Sequence, residues 1–285
     1  MSRIAYVNGR YVPLREATVN VEDRGYQFSD GVYEVCEVRG GRLIDERRHT
    51  ERLARSLSEL RIAMPMSIAA LGVVFRETVR RNKVRWGIVY LQITRGVSRR
   101  DHAFPPAGTR PSIVVTARNL DLEGAEKLAA DGVAVITLPD NRWDRVDIKS
   151  VSLLPNVLAK QAAREQGARE AWFVDEEGHV TEGSSSNAWI VTRDGKLVTR
   201  QADNAILRGI TRTVVLEVLK EQGIRLEERA FSVEEAMYAR EAFITSASQL
   251  VLPVVKIDGR PVGNGAPGLI STALRRDFHR HAETS

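Results

Sequence analysis

Lysine is the scarce cation of this chain, with seven lysines against thirty-five arginines. One of them, Lys149, sits in Val146-Asp147-Ile148-Lys149-Ser150-Val151-Ser152-Leu153-Leu154, where the alternation predicts a strand end leading into a helix. A lysine drawn out of water gives up its proton more readily, and the neutral amine is what a Schiff-base nucleophile needs. The competing reading is a solvated lysine, the usual state of that side chain. Lys256, just before an Asp-Gly turn, is the comparison case and is expected to be exposed.

Other pieces could serve the same chemistry. Glu182 opens the small-residue run Glu182-Gly183-Ser184-Ser185-Ser186-Asn187 between two strands. It reads either as a loop with local hydroxyl–backbone bonds or as a carboxylate beside a closely approaching ligand. Leu207-Arg208-Gly209-Ile210-Thr211 opens a helix whose free N–H groups favour an anion, or is an ordinary helix start. Thr245-Ser246-Ala247-Ser248 follows a strand and offers hydroxyls and N–H groups suited to phosphate. The loop Thr94–Pro105 carries Arg100 and His102, which could bind a carboxylate, or could be a solvated basic loop.

Several familiar chemistries are missing. The remaining histidines show no metal-ligand spacing with acids or the cysteine, so no metal is expected. No Walker A sequence, HExxH or CxxC occurs. Gly263-Asn264-Gly265-Ala266-Pro267-Gly268 matches GxGxxG, but it follows a hairpin and too little chain remains for a βαβ dinucleotide unit.

These residues need a scaffold, and strands and helices alternate without a fixed repeat. Strands are expected at Ile4–Val7, Val32–Val38, Ile88–Thr94 and Ser112–Ala117, with a Gly40-Gly41 hairpin turn between Val38 and Leu43. Helices fit Arg48–Leu60, with Leu53, Leu57 and Leu60 on one face, and Ile68–Arg81, with Leu71, Val74, Phe75 and Val79. The polar stretch 119–131 reads as a connection between a domain at 1–118 and a second at 132–285. The second half suggests strands near Val133–Leu138, Ala171–Val174, Ala188–Val191, Ala242–Thr245 and Val251–Ile257. Its expected helices lie near Leu153–Glu165, Ile210–Glu221 and Leu269–His279. The fold class is α+β or mixed α/β in two units.

Composition bounds the rest. The chain has 285 residues, 43% hydrophobic and 28% charged, the balance of a globular protein. No apolar run is long enough for a transmembrane helix, and no secretory h-region is visible, so no membrane partner is expected. The single Cys36 admits no internal disulfide and fits a reducing cytoplasm. The net charge of +5 could suit nucleic acid, but acids are interspersed among the cations and aromatics are only 6%, so no nucleic-acid partner is expected.

Taken in order, the motifs resemble the fold-type IV pyridoxal 5'-phosphate (PLP) enzymes, and within them the D-amino acid aminotransferases. The resemblance runs from Tyr6-Val7-Asn8-Gly9 and Phe28-Ser29-Asp30-Gly31-Val32-Tyr33-Glu34-Val35 through His49-Thr50-Glu51-Arg52-Leu53. It continues through Asp147-Ile148-Lys149, the Glu182 to Asn187 run and Ile206–Thr211 to Thr245–Ser248. It implies two domains with PLP at their interface. Lys149 then bonds to PLP and shuttles a proton between the substrate Cα and C4′. Glu182 pairs with the pyridine nitrogen, which makes the ring a better electron sink. Arg52, Ile210, Thr211, Ser246 and the Ala247 backbone hold the phosphate, and Leu207 packs on the ring face. Arg52 lies off the apolar face of its helix, available for a dianion.

The resemblance also implies a trap for the substrate carboxylate made of Arg100, His102 and Tyr33. The first two reach in from the neighbouring subunit of a homodimer. Two departures bear on affinity: Asp101 lies between Arg100 and His102, and Ala247 stands where relatives often have threonine. The implied reaction is ping-pong transamination of D-alanine with 2-oxoglutarate. Its rivals on the same scaffold are a branched-chain L-aminotransferase, an (R)-amine transaminase and aminodeoxychorismate lyase.

Overall fold

The structure, a computed structural model, describes residues 3–285, so the first two residues of the expected domain 1–118 lie outside the described part. The chain divides into two compact units. The first runs to Asp121 and recruits Ile148–Ser152 and Glu283–Ser285; the second takes Leu122–Asp147 and Leu153–Ala282.

In the first unit the elements are β1 (Ile4–Val7), β2 (Arg10–Pro13), α1 (Arg24–Phe28), β3 (Gly31–Arg39), β4 (Arg42–Leu43), α2 (Glu46–Glu59), α3 (Ile68–Arg81), β5 (Trp86–Thr94) and β6 (Ser112–Asn119). They build a six-stranded antiparallel sheet in the order β2-β1-β6-β5-β3-β4. Along β3 the buried positions alternate, so Val32, Glu34, Cys36 and Val38 face the core while Tyr33 and Val35 do not. Helix α3 buries Leu71, Val74, Phe75 and Val79, the stripe its 3.6-residue period requires. Ser67 caps it by accepting the Ala70 N–H at 3.2 Å. Helix α2 buries Leu53 and Leu57 as expected, and also His49, Thr50 and Ser56. Leu60 lies just past its end and is only partly buried.

Helix α1, absent from the sequence reading, begins at Asp23, whose carboxylate accepts the Gly25 N–H. It ends at Ser29 in the left-handed region (φ 57°), which turns the chain straight into β3. Gly25 is required there, since a Cβ would lie 2.2 Å from Cγ2 of Thr94.

The second unit contains α4 (Leu122–Asp131), β7 (Val133–Pro139), α5 (Leu154–Glu165), β8 (Glu170–Val174), β9 (Val180–Gly183), β10 (Asn187–Val191), β11 (Leu197–Thr199), α6 (Ile210–Glu221), β12 (Leu226–Glu228), α7 (Val233–Tyr238), β13 (Glu241–Ser246), β14 (Leu250–Ile257), β15 (Arg260–Pro261) and α8 (Leu269–His281). The strands run in the order β12-β11-β10-β13-β14-β7-β8-β9, with β15 paired to β14. Trp172, Trp189, Phe173, Phe231 and Phe243 are fully buried, and the Trp189 and Phe243 rings stack at 5.5 Å.

Helix α4 occupies most of the stretch read as a connection. It buries only Ala129 and carries a Lys127–Asp131 pair one turn apart, so no apolar stripe marks it in the sequence. The GxGxxG stretch is the turn from β15 into α8. The start of α8 already holds an anion of the protein itself, because the Glu241 carboxylate accepts the Ile270 and Ser271 N–H groups at 3.1 Å.

Candidate active site

In the first unit, the segment Ile148–Ser152 lies beside the start of β3. The Tyr33 N–H donates to the Lys149 carbonyl at 3.0 Å, and the Val151 N–H donates to the Gly31 carbonyl at 3.0 Å. Ser56 of α2 accepts the Lys149 N–H at 3.3 Å. The backbone of Lys149 is therefore held by two elements, and its ammonium stands 4.3 Å from the centre of the Tyr33 ring. The side chain is half-buried, between the solvated and the desolvated readings. Tyr33 itself lies against Tyr90 of β5, with ring centres 5.8 Å apart. Burial, with the neighbouring Tyr33, pushes the Tyr90 hydroxyl up to about 12, so it stays protonated at neutral pH.

Beneath this lies a buried charge cluster. Glu34 accepts from Nε and Nη2 of Arg52, both at 2.7 Å, and stands 2.8 Å from Nδ1 of His49, one turn earlier on α2. Burial alone would raise the Glu34 carboxyl, but the Arg52 charge and the hydrogen bonds from Arg52 and His49 overcome it and hold it at about 2. The sequence reading gives Arg52 no such partner within the protein. Two of its guanidinium nitrogens are committed to Glu34, which fixes the plane of the group. Glu34 lies in the quoted Val32-Tyr33-Glu34-Val35 motif, to which the sequence reading gives no role at that position. Its inward position follows from the β3 alternation, the one signal that could have found it.

The loop carrying Arg100 and His102 is also anchored by Asp30, Arg24 and Arg95, to which the sequence by itself assigns no role. Asp30 accepts from Nε of Arg24 at 2.8 Å and from Nε and Nη2 of Arg95 at 2.7 and 2.9 Å. Burial works against its charge, and the bonds and charges of the two arginines outweigh that and keep the carboxyl below its usual range. Arg24 then donates to the Asp101 and Ala103 carbonyls at 2.6 and 3.2 Å. Arg100 lies over the Phe28 ring at 4.9 Å, and His102 meets the same ring at 5.3 Å, so the fold brings these two exposed side chains to one anchor. Asp101 turns onto its own loop, where its Oδ1 accepts the Ala103 N–H at 3.0 Å. Among the described residues it forms no ion pair with Arg100 or His102.

In the second unit Glu182 is part of strand β9, not of a loop. Both its oxygens are held. Oε1 accepts from Nη1 of Arg142 at 2.5 Å, and Oε2 accepts from Nδ2 of Asn187 and from the Leu207 N–H, each at 3.0 Å. Arg142, which no motif marks, is bidentate to Asp140 at 2.8 and 2.7 Å, and Thr181 donates to Asp140 at 2.7 Å. Burial opposes the Arg142 charge, but the Asp140 bond and the Glu182 and Asp140 carboxylates raise its pKa.

Asn187 also gathers the other expected residues of this unit. Its Nδ2 donates to the Leu207 carbonyl at 2.9 Å, and it pairs in register with Thr245, next to Ser246 and Ala247. Gly209, which precedes α6, approaches it so closely that a Cβ would lie 2.2 Å from Oδ1 of Asn187. Gly209 has no side chain to cap α6, so the first N–H groups of Ile210 and Thr211 are not closed off by a capping side chain. The three hydroxyls of Ser184, Ser185 and Ser186 do not bond locally. They donate to the buried carboxylate of Glu170, the last two at 2.8 and 3.2 Å.

The donor chemistry of these residues fits PLP. The second unit offers a fixed carboxylate for a protonated pyridine nitrogen, and an uncapped helix start with the Thr211 and Ser246 hydroxyls for a phosphate. The first unit offers an amine and a guanidinium.

Comparison with known proteins agrees. The model of the amino-transferase class IV family matches residues 31–257. The chain is similar to the D-alanine aminotransferase of Bacillus licheniformis, 44% identical over 275 residues that cover 95% of each chain. To the D-alanine aminotransferase of Staphylococcus aureus (strain MSSA476) it is 39% identical over 280 residues, covering 98% of each. Among solved structures it resembles a T.th. branched-chain amino acid aminotransferase with pyridoxamine 5'-phosphate. That match has a TM-score of 0.89 at 26% identity and covers 98% of this chain and 94% of the other.

Proposed function

The chain belongs to the class IV amino-transferases, and from that membership we propose that it is a PLP-dependent aminotransferase of D-amino acids, which moves the amino group of D-alanine to 2-oxoglutarate to give pyruvate and D-glutamate. The observation that carries the reading is the Glu182 carboxylate, held on both oxygens in a buried cluster of two acids and one arginine. Such a group has no place in a nucleic-acid interface, and it suits a cationic ring nitrogen.

When bound, PLP supplies an electron sink for the carbanion left by proton loss at Cα. Lys149 holds the cofactor through its ε-amino group and takes the proton from the substrate Cα. Glu182 holds the proton on the pyridine nitrogen. Arg52, the Ile210 and Thr211 N–H groups, Ser246 and the Ala247 backbone bind the phosphate, and Leu207 supports the ring. Arg100 and His102, presented around Phe28, bind the substrate carboxylate together with Tyr33. In this reading they serve the site of the neighbouring subunit of a homodimer. The buried free thiol of Cys36 supports a reducing, cytoplasmic setting. No helix among the described residues is long and apolar enough to cross a membrane.

The test is a half-reaction. D-alanine, L-leucine and (R)-1-phenylethylamine are each added to the PLP-loaded protein, and the visible absorbance of the cofactor is followed. Loss of that absorbance with D-alanine alone is expected. Loss with L-leucine or the amine but not with D-alanine would overturn the D-amino acid assignment and move the enzyme to a sister group. Lys149→Ala should fold, by circular dichroism, and turn over nothing.

A further inference from the structure

The cluster around Glu182 has a charge balance that the reaction itself does not explain. Arg142 bridges two carboxylates. It faces Asp140 with two parallel bonds, at 2.8 and 2.7 Å, and Glu182 with one, at 2.5 Å. Its side chain and that of Glu182 are 4% and 8% exposed, so little water screens the balance between them. An arginine beside Glu182 alone would neutralise it, and the pair would offer a cationic ligand nothing. With Asp140 present the three groups carry one net negative charge. Asp140 stays ionised, because the Arg142 and Thr181 bonds and the Arg142 charge outweigh its burial.

We propose that Asp140 is a positioning residue: by occupying Arg142 it returns a full negative charge to Glu182 and so strengthens the hold of the site on a protonated pyridine nitrogen. The inference rests on the reading of Glu182 as the partner of that nitrogen. Asp140 acts through Arg142 and need not touch the cofactor. Asp144, Asp175, Glu176, Arg200 and Asp203 line an open cavity of about 690 Å³ together with Asp140 and Arg142. Arg200 is itself paired to Asp175 at 2.7 Å, and solvent in that cavity screens the rest.

The test uses four variants loaded with PLP labelled with ¹⁵N in the ring. Two quantities are read: the ¹⁵N shift of the ring nitrogen across a pH titration, and the PLP dissociation constant by fluorescence. Asp140→Asn keeps the shape and one acceptor but makes the cluster neutral. It should lower the pH at which the ring nitrogen loses its proton by about one unit and weaken PLP binding about tenfold. Adding Arg142→Gln to Asp140→Asn restores the net charge of minus one and should restore both quantities. Arg142→Gln alone, with one negative charge more, should hold the ring proton at least as well as wild type.

A purely structural role predicts the opposite order, with the double variant worse than Asp140→Asn. That order, or an Asp140→Asn protein identical to wild type in both readouts, would overturn the proposal. If Asp140→Asn fails to fold by circular dichroism, the comparison of Arg142→Gln with the double variant decides. Arg142→Gln should titrate at least as high as the double variant if charge is what matters, and a lower ring-nitrogen titration in Arg142→Gln would overturn the proposal. Glu182→Gln separates this inference from the reading beneath it. If Glu182→Gln leaves the ring nitrogen unchanged, the assignment of Glu182 fails; if it shifts the nitrogen while Asp140→Asn does not, only the role of Asp140 fails.

Discussion

Replacing Glu34 with glutamine removes the charge at the centre of the His49–Glu34–Arg52 cluster while keeping the size of the side chain. In the fold the carboxyl titrates at about 2, against an ordinary value of 4.5. At about 1.36 kcal/mol per pH unit, that gap is worth about 3 kcal/mol of stability at neutral pH. The figure agrees with the cost of about 3–5 kcal/mol for removing one partner from a buried ion pair.

The sign follows from the direction of the displacement. A carboxyl held lower in the folded state stabilises fully above its unfolded value and stops stabilising as the pH falls through its folded value. The difference between wild type and Glu34→Gln should therefore be about 3 kcal/mol at pH 7, about half that at pH 3, and near zero below pH 2. Taking the difference between the two proteins cancels the other carboxyls that titrate over the same range. Urea unfolding of the PLP-free proteins, followed by circular dichroism at each pH, measures it. A difference below about 1 kcal/mol at pH 7, or one that does not change between pH 7 and pH 2, would refute the reasoning.

Arg100→Ala should weaken substrates that carry an α-carboxylate by about ten- to a hundredfold in kcat/KM, the range of a hydrogen bond to a charged group, and should spare amines that lack one. Equal losses on both substrate types would show that Arg100 is structural. Gly209→Ala drives a Cβ to within 2.2 Å of Oδ1 of Asn187, and Asn187 holds both Glu182 and Leu207. Its expected outcome is at least about tenfold weaker PLP binding with the helical circular dichroism of α6 retained. Unchanged PLP affinity would show that the Asn187 contacts are dispensable.

Local periodicity is sufficient to read α3 and α6 to the residue, because each turns one apolar stripe toward a core and the stripe lies within a dozen residues of chain. It is insufficient for α1 and α4, which are short and bury one residue each, so no stripe marks them. The same division runs through the site. Lys149, Glu182, Arg100 and His102 stand out as candidates by residue type and local setting, each with a bland alternative, and their roles come from the order of motifs that resembles the family. The partners that fix them do not stand out: Arg142 lies 40 positions from Glu182, Glu34 lies 18 from Arg52, and Arg24 lies 77 from the Asp101 carbonyl it holds.

Ion pairing in a buried cluster depends on distances between strands and helices that are remote in the chain, and no short window of sequence contains them. For that reason Arg52 reads as a cation awaiting an anion, whereas the folded chain already places Glu34 against it. The charge of each group is set by its residue type. How much of that charge is left to offer a ligand is set by what the fold packs beside it.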